Sequence, residues 1–204
     1  MNKSAITKLK NKIELIGDYG KTLIVGVFHG DEPQGKFLIE EYLKNNDTNG
    51  LLFIPCLNPD GMQLKTRTNS NGVDLNRNFP TKNWELTEKN EFFGGMSAGS
   101  EIETKFLMDT INEFKPQLIL TLHAPYKIVN YDGPAREISE KISEIIGYPV
   151  EESIGYPTPG SFGTYAGIER EIPAITLELD EVCPVQDLVK PVFEIFDMLK
   201  KRGL

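Results

Sequence analysis

Short, continuous apolar runs recur along the chain with room for a helix between them. Thr22 to Phe28 (TLIVGVF) and Leu51 to Leu57 (LLFIPCL) come first, followed by Gln117 to Leu122 (QLILTL) and Pro173 to Leu179 (PAITLEL). Runs this short, rich in aliphatic and β-branched residues, read as strands buried on both faces, as in a parallel sheet. Between them, Pro33 suits the first turn of a helix that continues to about Asn45. Pro134 to Ile146 reads as an amphipathic helix with Ile138, Ile142, Ile145 and Ile146 on its face. Ser100 and Glu103 form a capping-box pattern before Phe106, Leu107, Ile111 and Phe114, and Pro184 to Lys201 reads as a closing helix. Strands alternating with helices predict an α/β fold: a mixed, mostly parallel sheet with helices on both faces. No repeat, low-complexity tract or Gly/Ser linker interrupts the chain, so residues 1–204 are expected to form a single catalytic-sized domain.

Composition narrows the partners. A net charge of −8, from 22 Lys+Arg against 30 Asp+Glu, argues against nucleic acid or an anionic membrane as the main partner. The apolar runs are far too short to span a bilayer. Cys56 and Cys183 each sit in or beside an apolar run, where a free cysteine behaves as a small core residue. The N-terminal stretch alternates charge with isolated apolar residues and has no continuous signal-peptide core. A reduced, cytoplasmic protein is the expectation.

In α/β sheets, chemistry gathers beyond the carboxyl ends of the strands. The first strand runs into His29-Gly30-Asp31-Glu32, the third into His123-Ala124-Pro125, and the late strand ends on Glu178. These are the chain's only 2 histidines. A histidine in such a place is often a hydrogen-bonded structural residue. Two in equivalent places, one followed by a carboxylate, also make a three-ligand zinc set with an open fourth position. The residues alone leave both readings open. After the turn signal Asn58-Pro59-Asp60-Gly61, the chain to Gly99 is polar and aperiodic, and long irregular stretches of this kind are usually functional. It carries Arg67 and the run Gly72 to Pro80 (GVDLNRNFP). Arg67 and Arg77 read either as surface charge or as planar forks for a carboxylate, with Asn76 able to donate to the same anion.

Taken in order, these segments resemble the zinc carboxypeptidases of the carboxypeptidase A type. The resemblance covers His29-x-x-Glu32, the NPDG turn at Asn58, Arg67, GVDLNRNFP and the SExET segment at Ser100 to Thr104. It continues through His123 to the T-x-E-L strand at Thr176 to Leu179. It implies that His29, Glu32 and His123 hold one Zn²⁺ per chain, with Asp74 fixing the tautomer of His29. It further implies that Arg67 stabilises the oxyanion, that Asn76 and Arg77 clamp the substrate's free carboxylate, and that Glu178 is the general base. Within the family, the stretch from Gly155 through Tyr156-Pro157-Thr158-Pro159-Gly160-Ser161-Phe162-Gly163 to Thr164 is similar to the murein tripeptide amidases of bacterial cell-wall recycling. Those enzymes cut between γ-D-glutamate and a diamino acid, and Tyr156 corresponds to the family's mobile, substrate-covering tyrosine. The implied partner is a small peptide with a free carboxylate, taken by a monomer or homodimer.

The chain departs from the pattern at Ile102, where the SExET segment usually has proline. No residue singles out the second amino and carboxyl groups of a diamino acid. Asp180, Glu169, Glu171, Asp132 and Arg170 are candidates. Rival readings are a zinc deacylase of N-acyl amino acids (aspartoacylase or desuccinylase type), an inactive relative that only binds wall peptides, and an α/β domain with structural histidines.

Overall fold

A computed structural model describes residues 3–17, 19–152 and 156–202; Gly155, at the head of the Tyr156 loop, lies outside them. The chain opens with a hairpin of β1 (Ser4–Ile6) and β2 (Lys12–Glu14), then runs through β3 (Gly20–Gly26), α1 (Gln34–Asn45) and β4 (Gly50–Ile54). After the short α2 (Pro59–Leu64) comes an irregular stretch with one 3₁₀ turn at Leu75–Arg77. The second half contains α3 (Ile102–Phe114), β5 (Leu118–His123), β6 (Ile128–Asp132), α4 (Arg136–Ile146), β7 (Val150–Glu151), β8 (Ala174–Glu178) and α5 (Val189–Arg202).

The main sheet has the order β4-β3-β5-β8-β6-β7. β4, β3, β5 and β8 are mutually parallel, whereas β6 runs antiparallel to β8. The sheet is therefore mixed and mostly parallel, as expected. Alternation along each strand divides the core. Ile24, Leu120 and Leu177 face α1, α4 and α5, where they meet Leu38, Tyr42, Ile142 and Phe196. Leu23, Val25 and Ile119 face the other way, onto Phe106, Leu107 and Ile111 of α3. That second face is completed by Phe28, Leu75, Phe79 and Phe162 from the irregular segments. Burying each such side chain contributes roughly 1.5–3 kcal/mol, so the polar stretch is pinned to the sheet by its few apolar residues.

Four local expectations need correction. Asn58-Pro59-Asp60-Gly61 starts a helix rather than a turn: the Asn58 side chain caps α2 by accepting from Gly61 N, with Pro59 in the first turn. The capping box does not form. Glu101 occupies the N-cap of α3, the Ser100 hydroxyl donates to Glu101 Oε1 at 2.6 Å, and Glu103 accepts from Asn69 at 3.2 Å. The closing helix begins with a 3₁₀ turn at Val185–Leu188. The hairpin, β6 and β7 had no apolar run to announce them. Their mixed polar sequences are held by pairing with neighbours, as Asn130 in β6 is paired with Thr176 in β8. Both cysteines are free.

Candidate metal centre and active site

The site begins where β3 stops. Val27 takes φ 56°, a left-handed conformation that is a true outlier for a β-branched residue. It is held there because Asn58 N donates to Val27 O at 2.9 Å and Leu57 N to Gly26 O at 3.0 Å. The twist sends Phe28 into the core and His29 towards the end of the sheet. Gly30 then lies flat on α2: a Cβ at this position would sit 2.0 Å from the Gly61 carbonyl carbon. The NPDG segment thus acts as scaffolding for His29.

His29 and His123 reach one spot from neighbouring strands, with ring centroids 4.9 Å apart. His29 Nδ1 lies 2.8 Å from Glu32 Oε1, and His123 Nδ1 lies 3.1 Å from Glu32 Oε2. Ala124 N also donates to Glu32 Oε2 at 3.2 Å, and the Phe28 ring packs on His123 at 5.1 Å. Behind His29, the fully buried Asp74 carboxylate contacts Nε2 at 3.2 Å through Oδ1. Its Oδ2 accepts from Arg67 Nε at 3.0 Å and Nη2 at 2.9 Å. Asp74 therefore sets the His29 tautomer, leaving Nδ1 to face the cavity, and aims Arg67, whose Nη1 lies 3.3 Å from His29 Nδ1.

The charges favour a cation here. Burial disfavours charging His29, yet Asp74 and Glu32 outweigh it and raise its pKa to about 9. Burial pushes the carboxyls of Glu32 and Asp74 upward, but His29 beside each holds both well below the usual carboxylate range. Donor atoms of His29, Glu32 and His123 all lie within 4.8 Å of one another, the one such group among the described residues. Two imidazoles and a carboxylate form the donor set that zinc takes when a position is left open, so the residues present fit that metal.

The catalytic candidates surround this group. Register pairs His123 with Glu178 across β5 and β8, which brings the glutamate to the same rim. Glu178 is 7% exposed, and its Oε2 has no hydrogen-bond partner among the described residues. Burial raises its pKa, with His123 pulling the other way. Asn76 Oδ1 accepts from Phe162 N at 2.9 Å, which leaves its NH₂ group as a donor. Arg77 is buried, and its Nη1 donates to Asn76 O at 2.7 Å. A cavity of about 590 Å³ is lined by His29, Glu32, Arg67, Arg77, His123 and Glu178, with Asn76 and a half-exposed Tyr156 on the same wall. The residues named from the sequence for metal, catalysis and the carboxylate clamp, with Tyr156, line this cavity, and Asp74 backs it; the diamino-acid candidates Asp132, Glu169, Arg170, Glu171 and Asp180 do not line it.

The family model described as zinc carboxypeptidase, Peptidase_M14, matches residues 22–179. The chain belongs to this family. Murein peptide amidase A of Escherichia coli (strain K12) is 33% identical over 157 residues, 71% of this chain and 64% of the relative. The same-named protein of Vibrio campbellii is 33% identical over 183 residues, covering 78% and 69%. The chain thus spans about two thirds of the length of the curated relatives it matches. The crystal structure of a murein-tripeptide amidase from Escherichia coli O157 superposes with a TM-score of 0.85 at 28% identity, over 96% of this chain and 89% of that one. The carboxypeptidase A of Helicoverpa armigera shares the fold, with a TM-score of 0.76 at 16% identity. No helix among the described residues is long and apolar enough to cross a membrane.

Two contributors to this zinc carboxypeptidase site escaped the sequence reading. Phe92 lies under both guanidinium groups, 5.2 Å from Arg67 and 5.9 Å from Arg77, and limits their motion. The aromatic pair Phe92-Phe93 in an otherwise polar stretch was the available signal. Tyr126 shares the cavity wall, and its backbone N–H favours the charged form of Glu178. Nothing in the sequence around it marks that role.

Proposed function

We propose that this chain is a zinc-dependent carboxypeptidase-type amidase. It hydrolyses a peptide bond beside a free terminal carboxylate, and its substrate is the γ-D-glutamyl–diamino acid bond of a freed murein peptide. The observation that carries the reading is the placement of a carboxylate with one oxygen open among the described residues, Glu178, on the cavity that also holds the His29–Glu32–His123 donor set and two oriented arginines. A murein peptide as substrate is supported by the names of the relatives in Escherichia coli and Vibrio campbellii.

His29, Glu32 and His123 would hold one zinc ion per chain. Bound there, zinc supplies Lewis-acid polarisation and lowers the pKa of its water from 15.7 to about 7. Glu178 takes a proton from the attacking water at its open Oε2 and passes it to the departing amine nitrogen as the C–N bond breaks. Arg67 is clamped through Nε and Nη2, which leaves Nη1 to donate to the carbonyl oxygen as it gains charge. Arg77 and the Asn76 amide grip the substrate's terminal carboxylate, and Tyr156 closes over it. On this reading residues 1–204 act as one catalytic unit on a small soluble peptide in the cytoplasm, as monomer or homodimer. Two free cysteines support that compartment.

The test compares L-Ala-γ-D-Glu-diamino acid with the same peptide amidated at its C-terminus. Cleavage of the first and strongly reduced cleavage of the second is the expected result. Equal turnover of both would rule out the carboxylate clamp, and preference for N-acyl amino acids would transfer the chain to the deacylase reading.

A further inference from the structure

Beside the catalytic cavity lies a second, smaller one of about 120 Å³, and Asn76, Tyr156 and Glu178 line both. Sheet alternation explains its chemistry. Val129 and Tyr131 of β6 and Ile175 and Leu177 of β8 turn into the core beneath α4 and α5. Asn130, Asp132, Thr176 and Glu178 must therefore project from the opposite face, where Asn130 pairs with Thr176 and Asp132 with Ala174. Ser161 and Thr158 close the far side. The wall is polar throughout, and it begins at the proposed general base.

Asp132 stands out within it. Among the described residues it makes no hydrogen bond and no ion pair, and burial alone pushes its carboxyl up to about 6. The chain opposite is shaped around that carboxylate, since a Cβ on Gly163 would lie 2.0 Å from Asp132 Oδ2. A half-buried, unpaired carboxylate lacks a cation. The other candidates for reading a diamino acid are engaged or elsewhere. Asp180 pairs with Lys127 at 3.0 Å, Glu169 accepts from Lys82 N at 2.6 Å, and Arg170 stacks on the Tyr165 ring at 3.4 Å. Glu171 lines a different cavity, beside Pro134. Among the described residues no lysine or arginine lines the Asp132 cavity, and Glu152 adds a further acid at its rim.

We propose that Asp132 makes this cavity the receptor for the side chain of the released residue, and that the side chain it accepts ends in an ammonium group and carries no second free carboxylate. This rests on the amidase reading above and sharpens it. The strand distance from Glu178 to the position paired with Asp132 is about 13 Å at roughly 3.3 Å per residue. A lysine side chain covers part of that span, and the reaching side chains of Glu178 and Asp132 with a hydrogen bond at each end cover the rest. An ammonium group gains a charge-assisted bond to Asp132 and further acceptors in Asn130 and Thr176. A second carboxylate, as in meso-diaminopimelate, would meet only acids, amides and hydroxyls, so it would enter the cavity without a charge partner.

The experiment uses the zinc-loaded full chain and four peptides, L-Ala-γ-D-Glu-X. X is L-lysine, L-norleucine, meso-diaminopimelate or meso-diaminopimelate amidated on its second carboxyl. Lysine is expected to exceed norleucine in kcat/KM by roughly 10- to 100-fold, the worth of a charge-assisted hydrogen bond. Amidation should raise turnover of the diaminopimelate peptide, and Asp132→Asn should bring the lysine-to-norleucine ratio towards one. Ratios within one variant are insensitive to partial unfolding, and Gly163→Ala, which pushes on the same carboxylate, should shift the ratio the same way. Free meso-diaminopimelate outrunning lysine, or a ratio untouched by Asp132→Asn, would overturn the inference while leaving the amidase reading intact. Cleavage of none of the four would remove the amidase reading and this inference together.

Discussion

The catalytic end of the sheet is built in two contrasting halves. Along β3 and β5 the buried polar groups hold each other: His29 between Glu32 and Asp74, His123 on Glu32, Arg67 on Asp74. Along β6 and β8, Asp132 and one oxygen of Glu178 have no partner among the described residues. An unpaired buried polar atom costs about 1–3 kcal/mol, so the second half gives up stability that the first half keeps. Groups that must position something are braced. The two carboxylates of the second half that must meet a substrate are left open.

The strongest way to break this contrast is to neutralise an open group. Glu178→Gln should keep zinc but lose roughly 10²–10⁴ in kcat, the usual worth of a general acid–base residue; metal content and kcat read together check it. Arg67→Ala removes a braced donor that faces the reaction, and kcat should fall by about 10²–10³ with little change in zinc affinity. Asp74→Asn attacks the bracing itself. It should weaken zinc binding by about 10- to 100-fold, measured by competition with a chelator, before it affects chemistry.

A milder version of the contrast exists away from the site. Glu101 accepts from Asn69, Asn71 and Ser100, whereas the buried Glu103 accepts from one side chain, Asn69, at 3.2 Å. Burial raises Glu103 from 4.5 to about 7. An acid whose folded pKa is raised favours the fold while protonated, and that contribution is lost as pH rises from the unfolded value through the folded one. Stability should therefore decline between about pH 4.5 and 7 by an amount that Glu103→Gln removes, on the order of 1–3 kcal/mol. Denaturant melts at both ends of that window would detect it, and an unchanged slope in the variant would contradict the assignment.

How much of this was legible in the sequence follows from physics rather than from chance. Buried parallel strands need continuous apolar runs, so β3, β4, β5 and β8 and the residues that follow them could be read directly. That exposed His29, His123 and Glu178 as strand-end groups. β6 was hidden because Asn130 and Asp132 break any apolar run, and the alternation that remains, Val129-Asn130-Tyr131-Asp132, is too short to stand out. For the same reason the sequence could only place Asp132 among several acids. The capping-box pattern at Ser100 and Glu103 misled because both side chains had stronger partners in Glu101 and Asn69. Asn58 was legible as a stop signal; its cap on α2 is a local contact with Gly61, but its hold on Val27 depends on a contact distant in sequence.

The central claim is that the braced half holds a metal and the open half uses it. Metal analysis of the purified chain, run beside turnover of γ-D-glutamyl-diamino acid tripeptides with and without a chelator, tests it most directly. The account predicts about one zinc ion per chain and release of the diamino acid that stops on chelation and returns with zinc. Failure to bind zinc even after reconstitution would contradict it, and zinc bound without cleavage would leave the braced half standing as a peptide-binding site alone.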